Sequence, residues 1–284
     1  MTDIQRVGVV GAGQMGSGIA EVHAKSGFDV VITEVSQPAL DAGKARIEKS
    51  LQRGVKNGKL SAEDASAALG RLRFTTDLAD LADRDLVIEA ILEQEQAKVD
   101  VFAQLDKLVS RTDAIFASNT SSIPIVKIAM ATSRPQQVVG IHFFNPVPVL
   151  PLVELVPSLL TADDTARRAE EHAGALGKTV IRAQDRAGFI VNSLLVPYLL
   201  SAIRMVQSGF ASAEDIDRGM ELGTAHPMGP LRLSDLIGLD TVKAIADSMY
   251  DEFKEPLYAA PPLLLRMVDA GLMGKKSGRG FYTY

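Results

Sequence analysis

The run Val7-Gly8-Val9-Val10-Gly11-Ala12-Gly13-Gln14-Met15-Gly16 limits what this chain can fold into more than any other segment. An apolar strand passes directly into G-x-G-x-x-G, and helix-forming sequence follows. Each glycine has its own task. Gly11 permits the tight turn, Gly13 lets a pyrophosphate approach the backbone, and Gly16 lets the helix pack on the strand. The helix N-terminus then offers phosphate its unpaired N–H groups and the positive end of its dipole. The motif alone is weak, but the preceding strand and following helix are the context it requires. Gly11, Ala12, Gly13, Gln14, Met15 and Gly16 are therefore the candidate dinucleotide contacts. A second strand ends in Ile32-Thr33-Glu34, and an acid about 20 residues beyond the glycines is where a ribose 2′-hydroxyl binds. Glu34 would accept that hydrogen bond from NAD and repel the 2′-phosphate of NADP, and no arginine follows among Val35, Ser36 and Gln37. The bland alternative, a surface glutamate at a strand end, is disfavoured by the glycine motif.

Short β-rich runs at 6–10, 29–33, 86–90, 114–117 and 138–143 alternate with helical stretches such as 40–59 and 93–109. Such alternation predicts parallel pairing with crossover helices, a doubly wound α/β sheet of Rossmann type. A further strand pair is expected at 152–156 and 179–182, around a helix at 162–176. Beyond Asp185 the text turns helical, at 187–208, 212–222, 230–252 and 261–270. Two domains are expected: residues 1–185, dinucleotide-binding, and residues 186–284, smaller and all-α.

The chain is 46% hydrophobic and 23% charged, which favours a packed protein over a disordered one. Its formal net charge of −5, without blocks of like charge, weighs against nucleic acid or anionic membrane as partners. Cysteine is absent, which excludes thiolate nucleophiles and zinc–thiolate sites and fits a cytoplasmic location. Nothing suggests a bound metal. The N-terminus reads as strand, not as a secretory signal. The longest uncharged stretch, 187–203, falls short of the roughly 20 residues a membrane span needs. It also carries Asn192, Ser193, Pro197 and Ser201, so a buried helix is expected.

Hydride removal from an alcohol needs a group to take the hydroxyl proton, and histidine suits neutral pH best. His23, on the helix after the glycines, reads as packing, and His172, among Arg167, Arg168, Glu170 and Glu171, as solvated. His226 lies in a loop with no assignable role. His142 ends an apolar strand, and ligands of open α/β sheets sit outside the carboxyl ends of strands. Position therefore favours His142. Glu154, inside Leu152-Val153-Glu154-Leu155-Val156, is either its buried partner or an edge-strand acid facing solvent. Spacing leaves the two readings even. The polar cluster Ser118-Asn119-Thr120-Ser121-Ser122 and the lone polar Asn192 are weaker signals, since loops and helix packing also use such residues.

Taken together, these segments resemble the L-3-hydroxyacyl-CoA dehydrogenases over nearly the whole chain. The likeness rests on 11–16, on 118–122, on His142-Phe143-Phe144-Asn145-Pro146-Val147-Pro148, on Gly188-Phe189-Ile190-Val191-Asn192, on Pro227-Met228-Gly229-Pro230, and on 274–282. It implies that His142 is the catalytic acid/base, that Glu154 orients it, and that Ser121 and Asn192 position the substrate. It also implies NAD contacts from Glu93, Lys98, Ser121, Asn145 and Lys276 beside the glycine loop and Glu34. Many relatives carry aspartate where this chain has Glu34, which keeps the charge and lengthens the reach.

Arg46, Lys49, Arg53 and Lys56 recur at helical spacing opposite Ile47, Leu51 and Val55. Spacing alone favours a solvated face. The resemblance turns it towards the phosphates of CoA, with Ser50, Arg53, Lys56 and Ser121 as contacts. It further implies a homodimer through the helical domain and an acyl-CoA substrate, with a four-carbon acyl group expected. A 3-hydroxyadipyl-CoA enzyme, a dehydrogenase of free hydroxy acids, and a non-catalytic dinucleotide-binding protein are the alternatives.

Overall fold

The computed structural model describes residues 3–284, which divide into a unit ending at Asp185 and a second unit, Arg186–Tyr284. In the first, β1 (Arg6–Val10), α1 (Gln14–Lys25), β2 (Asp29–Thr33), α2 (Gln37–Lys56), α3 (Ala62–Gly70) and β3 (Leu72–Thr75) build one half of a sheet. β4 (Leu86–Glu89), α4 (Glu95–Leu108), β5 (Ile115–Ser118), α5 (Ile125–Ala129) and β6 (Val138–Phe143) extend it. β7 (Leu152–Pro157), α6 (Asp163–Ala175) and β8 (Thr179–Arg182) complete it. The spatial order is β3-β2-β1-β4-β5-β6-β7-β8, and among the described residues all neighbouring strands pair in parallel except β6 with β7.

Both faces of this sheet are covered, which is why its inner strands read as continuous apolar runs. On one face Val9, Val30, Ile88, Ile115 and Ile141 pack with Ile19, Ile47, Leu51 and Ala169 from α1, α2 and α6. Strand alternation sends Phe116 to the other face, where its ring lies 6.3 Å from that of Phe102 on α4. The parallel order reverses between β1 and β4, so the carboxyl ends of these strands border a crevice.

Several expectations need correction. β3 and α3 went unread because the four residues of β3 are fully buried at no position and the nine of α3 bury only Ala65 and Ala68, so neither carries a marked apolar period. β7 runs against β6 because the connection 144–151 is too short for a parallel crossover. His172 is buried, not solvated: it continues the stripe Thr165, Ala166, Ala169 along α6, and its charged neighbours occupy the other face.

The second unit holds α7 (Val191–Gln207), α8 (Ala213–Thr224), α9 (Pro230–Ile237), α10 (Leu239–Phe253) and α11 (Pro262–Asp269) around Leu199, Leu200, Leu231, Val242, Met249 and Leu264. The expected helix at 230–252 is two helices, because Gly238 adopts φ +101°, which a helix cannot continue through. No helix of the described residues is long and apolar enough to cross a membrane.

Candidate active site

The glycine loop follows β1 and is held by its neighbours. Gly11 N–H donates to the Thr33 carbonyl at 2.8 Å, and a Cβ on Gly11, at φ +98°, would stand 2.6 Å from the Ala90 oxygen. A Cβ on Gly16 would stand 1.8 Å from the Gly11 oxygen, so α1 reaches the turn only with glycine there. Gly13 differs. Among the described residues, and apart from its two chain neighbours, nothing lies within 4 Å of where its Cβ would be, and α1 begins just after it without a side-chain cap. A backbone open to close approach at a helix N-terminus fits the pyrophosphate of a dinucleotide. Glu34 closes the loop from β2: its carboxylate accepts from Ala12 N–H and Val35 N–H, both at 2.9 Å. Arg46 of α2 donates to the Ala12 carbonyl at 3.0 Å, and Gln14 donates to Asn145 Oδ1 at 3.0 Å.

His142 lies in β6 directly opposite Glu154 of β7. Opposed residues of an antiparallel pair share a face, and here Nδ1 meets Glu154 Oε2 at 2.7 Å. Glu154 is fully buried between Val153 and Leu155, and His142 is nearly so. A carboxylate accepts and does not donate, so Nδ1 carries the hydrogen and Nε2 is left with the lone pair. The pair thus has the form of an oriented base whose cation the carboxylate would stabilise. Asn119 steadies the strand end by accepting from Phe143 N–H at 2.8 Å, and the Phe144 ring lies 4.6 Å from the imidazole.

On the neighbouring strand ends, Glu93, Lys98 and Ser121 come together. Glu93 Oε1 accepts from Thr120 Oγ1 at 2.6 Å, Ser121 N–H at 2.8 Å, Ser121 Oγ at 3.2 Å and Ser122 Oγ at 3.3 Å. One carboxylate oxygen has two lone pairs, and the two short bonds occupy them. Ser121 Oγ is therefore held weakly enough to be yielded to a ligand. Lys98 Nζ sits 2.5 Å from Glu89 Oε1 and 3.3 Å from Glu93 Oε2. Burial pushes the Glu93 carboxyl up, but the Lys98 charge and the bonds from Thr120 and Ser121 outweigh it and hold the group below its usual range.

Ser50, Arg53 and Lys56 lie along α2, where Arg53 and Lys56 are exposed and Ser50 bonds the buried Glu21. In the second unit Asn192 is buried in the first turn of α7, and Lys276 pairs with Asp240 at 2.5 Å. His226 is exposed, with Nδ1 3.2 Å from Tyr198 Oη. Sequence reasoning passed over Asn119 as a strand anchor, Arg46 as a loop clamp, and Glu89. An acid inside the apolar run Leu86-Val87-Ile88-Glu89-Ala90-Ile91 gives the same signal that singled out Glu154.

Comparison with known proteins agrees with this geometry. The family model for the 3-hydroxyacyl-CoA dehydrogenase NAD binding domain matches residues 6–186, and that for the C-terminal domain matches 188–284. A 3-hydroxybutyryl-CoA dehydrogenase of Mycobacterium tuberculosis is 64% identical over 99% of both chains. The crystal structure of (S)-3-hydroxybutyryl-CoA dehydrogenase from Ralstonia eutropha has a TM-score of 0.94 at 45% identity, again over 99% of each chain. A glycine loop open at a helix N-terminus, a carboxylate-oriented histidine near the end of β6 and both domain matches agree: the chain belongs to the 3-hydroxyacyl-CoA dehydrogenase family.

Proposed function

We propose that this protein interconverts (S)-3-hydroxybutyryl-CoA and acetoacetyl-CoA, with NAD as its cofactor. The observation that carries the reading is the buried His142–Glu154 pair, together with relatives of the same length that bear this activity. NAD, when bound, supplies the nicotinamide that takes or returns the hydride. His142 Nε2 takes the 3-hydroxyl proton in oxidation and gives it back in reduction. Glu154 stabilises the imidazolium in a site too dry for water to do so. Ser121 and Asn192 hold the reacting oxygen and the thioester in line.

Gly11, Ala12, Gly13, Gln14, Met15 and Gly16 cradle the pyrophosphate, and Glu34 takes the ribose hydroxyls. Glu93, Lys98, Ser121, Asn145 and Lys276 contribute the remaining cofactor contacts. Ser50, Arg53 and Lys56 meet the phosphates of CoA, with Ser121 at the acyl end. The protein works in the cytoplasm as a homodimer joined through the helical domain. Leu194, Phe210 and Leu222 of that domain are each about three-quarters exposed, and association would cover such side chains. A monomer by light scattering would overturn that part.

The deciding experiment mixes the purified protein with acetoacetyl-CoA and either NADH or NADPH. Rapid loss of absorbance with NADH alone is expected, and a scan of acyl-CoA lengths should peak at four carbons. Inactivity on every acyl-CoA, with turnover of a free 3-oxo acid, would refute the reading.

A further inference from the structure

Glu89 ends β4, between Val10 of β1 and Ser118 of β5 in register, and is wholly buried. An ionised acid in such a place is costly unless both of its oxygens have donors. Glu89 has them: Oε1 accepts from Lys98 Nζ at 2.5 Å and from Ile91 N–H at 2.8 Å, and Oε2 accepts from Ser118 Oγ at 2.6 Å. Lys98, only 1% exposed, spends its charge inward. Its second contact, Glu93 Oε2 at 3.3 Å, is the carboxylate that gathers Thr120, Ser121 and Ser122. The order of charges is therefore Glu89, Lys98, Glu93, and the last of these fixes the loop. Glu89 grips that loop from its other end as well, through Ser118.

We propose that Glu89 is a positioning residue for this reaction: through Lys98 and Ser118 it sets where Glu93 stands, and so where Ser121 stands. The inference rests on the reading that Glu93 and Ser121 face cofactor and substrate. Removing the Glu89 charge leaves Lys98 with Glu93 alone, so Lys98 and Glu93 draw together and the 118–122 loop loses its register. A purely structural ion pair would cost stability and leave binding untouched.

The test is a cycle of Glu89→Gln, Glu93→Gln and the double variant in the full chain. Thermal midpoint, NADH dissociation constant and kcat/KM on acetoacetyl-CoA are measured for each. Loss of one charge-assisted contact should weaken NADH binding about tenfold in Glu89→Gln. The double variant should bind no worse than Glu93→Gln alone, because both changes act through one carboxylate. Additive losses, or wild-type NADH affinity in a destabilised Glu89→Gln protein, would overturn the proposal. If Glu89→Gln does not fold, Ser118→Ala, which cuts the tie between Glu89 and the loop and touches no residue placed at the cofactor, takes its place in the cycle. The NADH titration judges Glu89 even if the wild-type chain fails to turn over acetoacetyl-CoA, which would count against the substrate alone.

Discussion

At the scale of single residues, function rests on which atom carries which proton. Glu154 accepts from Nδ1 of His142 and thereby makes Nε2 the basic nitrogen. Replacing His142 with Gln removes the proposed base but keeps a polar side chain of similar reach. Turnover should fall by about 10²–10⁴-fold with NADH affinity near wild type, as fluorescence titration would read. Glu154→Gln should cost a similar factor, because the amide can donate to Nδ1 and favour the wrong tautomer. Near-normal kcat in either variant would remove the pair from the mechanism. His142 was readable from its place at a strand end. Its tie to Glu154 was left even by spacing and came only with the family resemblance, because it depends on the register of β7 against β6. A slip of one residue would turn Glu154 to the other face of the sheet.

The elements carry a different lesson, in which neighbouring glycines do unlike work. Gly16→Ala drives a methyl into the Gly11 carbonyl and should lower both thermal midpoint and NADH affinity. Gly13→Ala meets no protein atom, so its midpoint should stay at the wild-type value while NADH binding weakens at least tenfold. Equal loss of stability in the two variants would contradict this division. In the second unit Gly274 and Gly280 serve packing. A Cβ on Gly280 would lie 2.0 Å from Asp235 Oδ1, and one on Gly274 would lie 2.3 Å from the Asp235 oxygen. The tail thus closes onto Asp235, whose carboxylate accepts from Phe281 N–H at 3.0 Å and Tyr282 N–H at 2.9 Å. Most strands and helices were legible because burial on one or both faces writes period into sequence. β3 has no such period, because Leu72-Arg73-Phe74-Thr75 is fully buried at no position, and α5, with five residues, makes little more than one turn.

Across the whole molecule, a buried histidine pair makes stability depend on acid. Burial keeps both rings neutral in the fold. His23 Nδ1 lies 2.7 Å from the Ile19 carbonyl, which can only accept, so in the neutral ring His23 Nε2 accepts from His172 Nε2 at 3.0 Å. Burial pushes His23 down to about 4, with Lys178 adding to it against the Ile19 carbonyl, and burial with His23 alongside pushes His172 down to about 2. Above about pH 6.5 both are neutral in either state, and stability is complete. Below it only the unfolded chain takes up the protons, so stability falls by on the order of 1 kcal/mol per histidine per pH unit until the folded values are reached. Glu21, held above its usual range by burial, acts in the opposite sense. The thermal midpoint should therefore drop more steeply from pH 7.5 to 5.5 in the wild-type chain than in His23→Gln/His172→Gln, and equal slopes would refute the account. What the sequence alone determined was local: the glycine turn, the strand and helix periods, the acid after β2 and the strand-end histidine, each set by neighbours within a few residues. The pairing of Glu154 with His142, the burial of His172 and the Glu89–Lys98–Glu93 series were decided only by tertiary structure. They join residues on different strands and helices, and their energies depend on register and on exclusion of water, which exist only once the chain has packed.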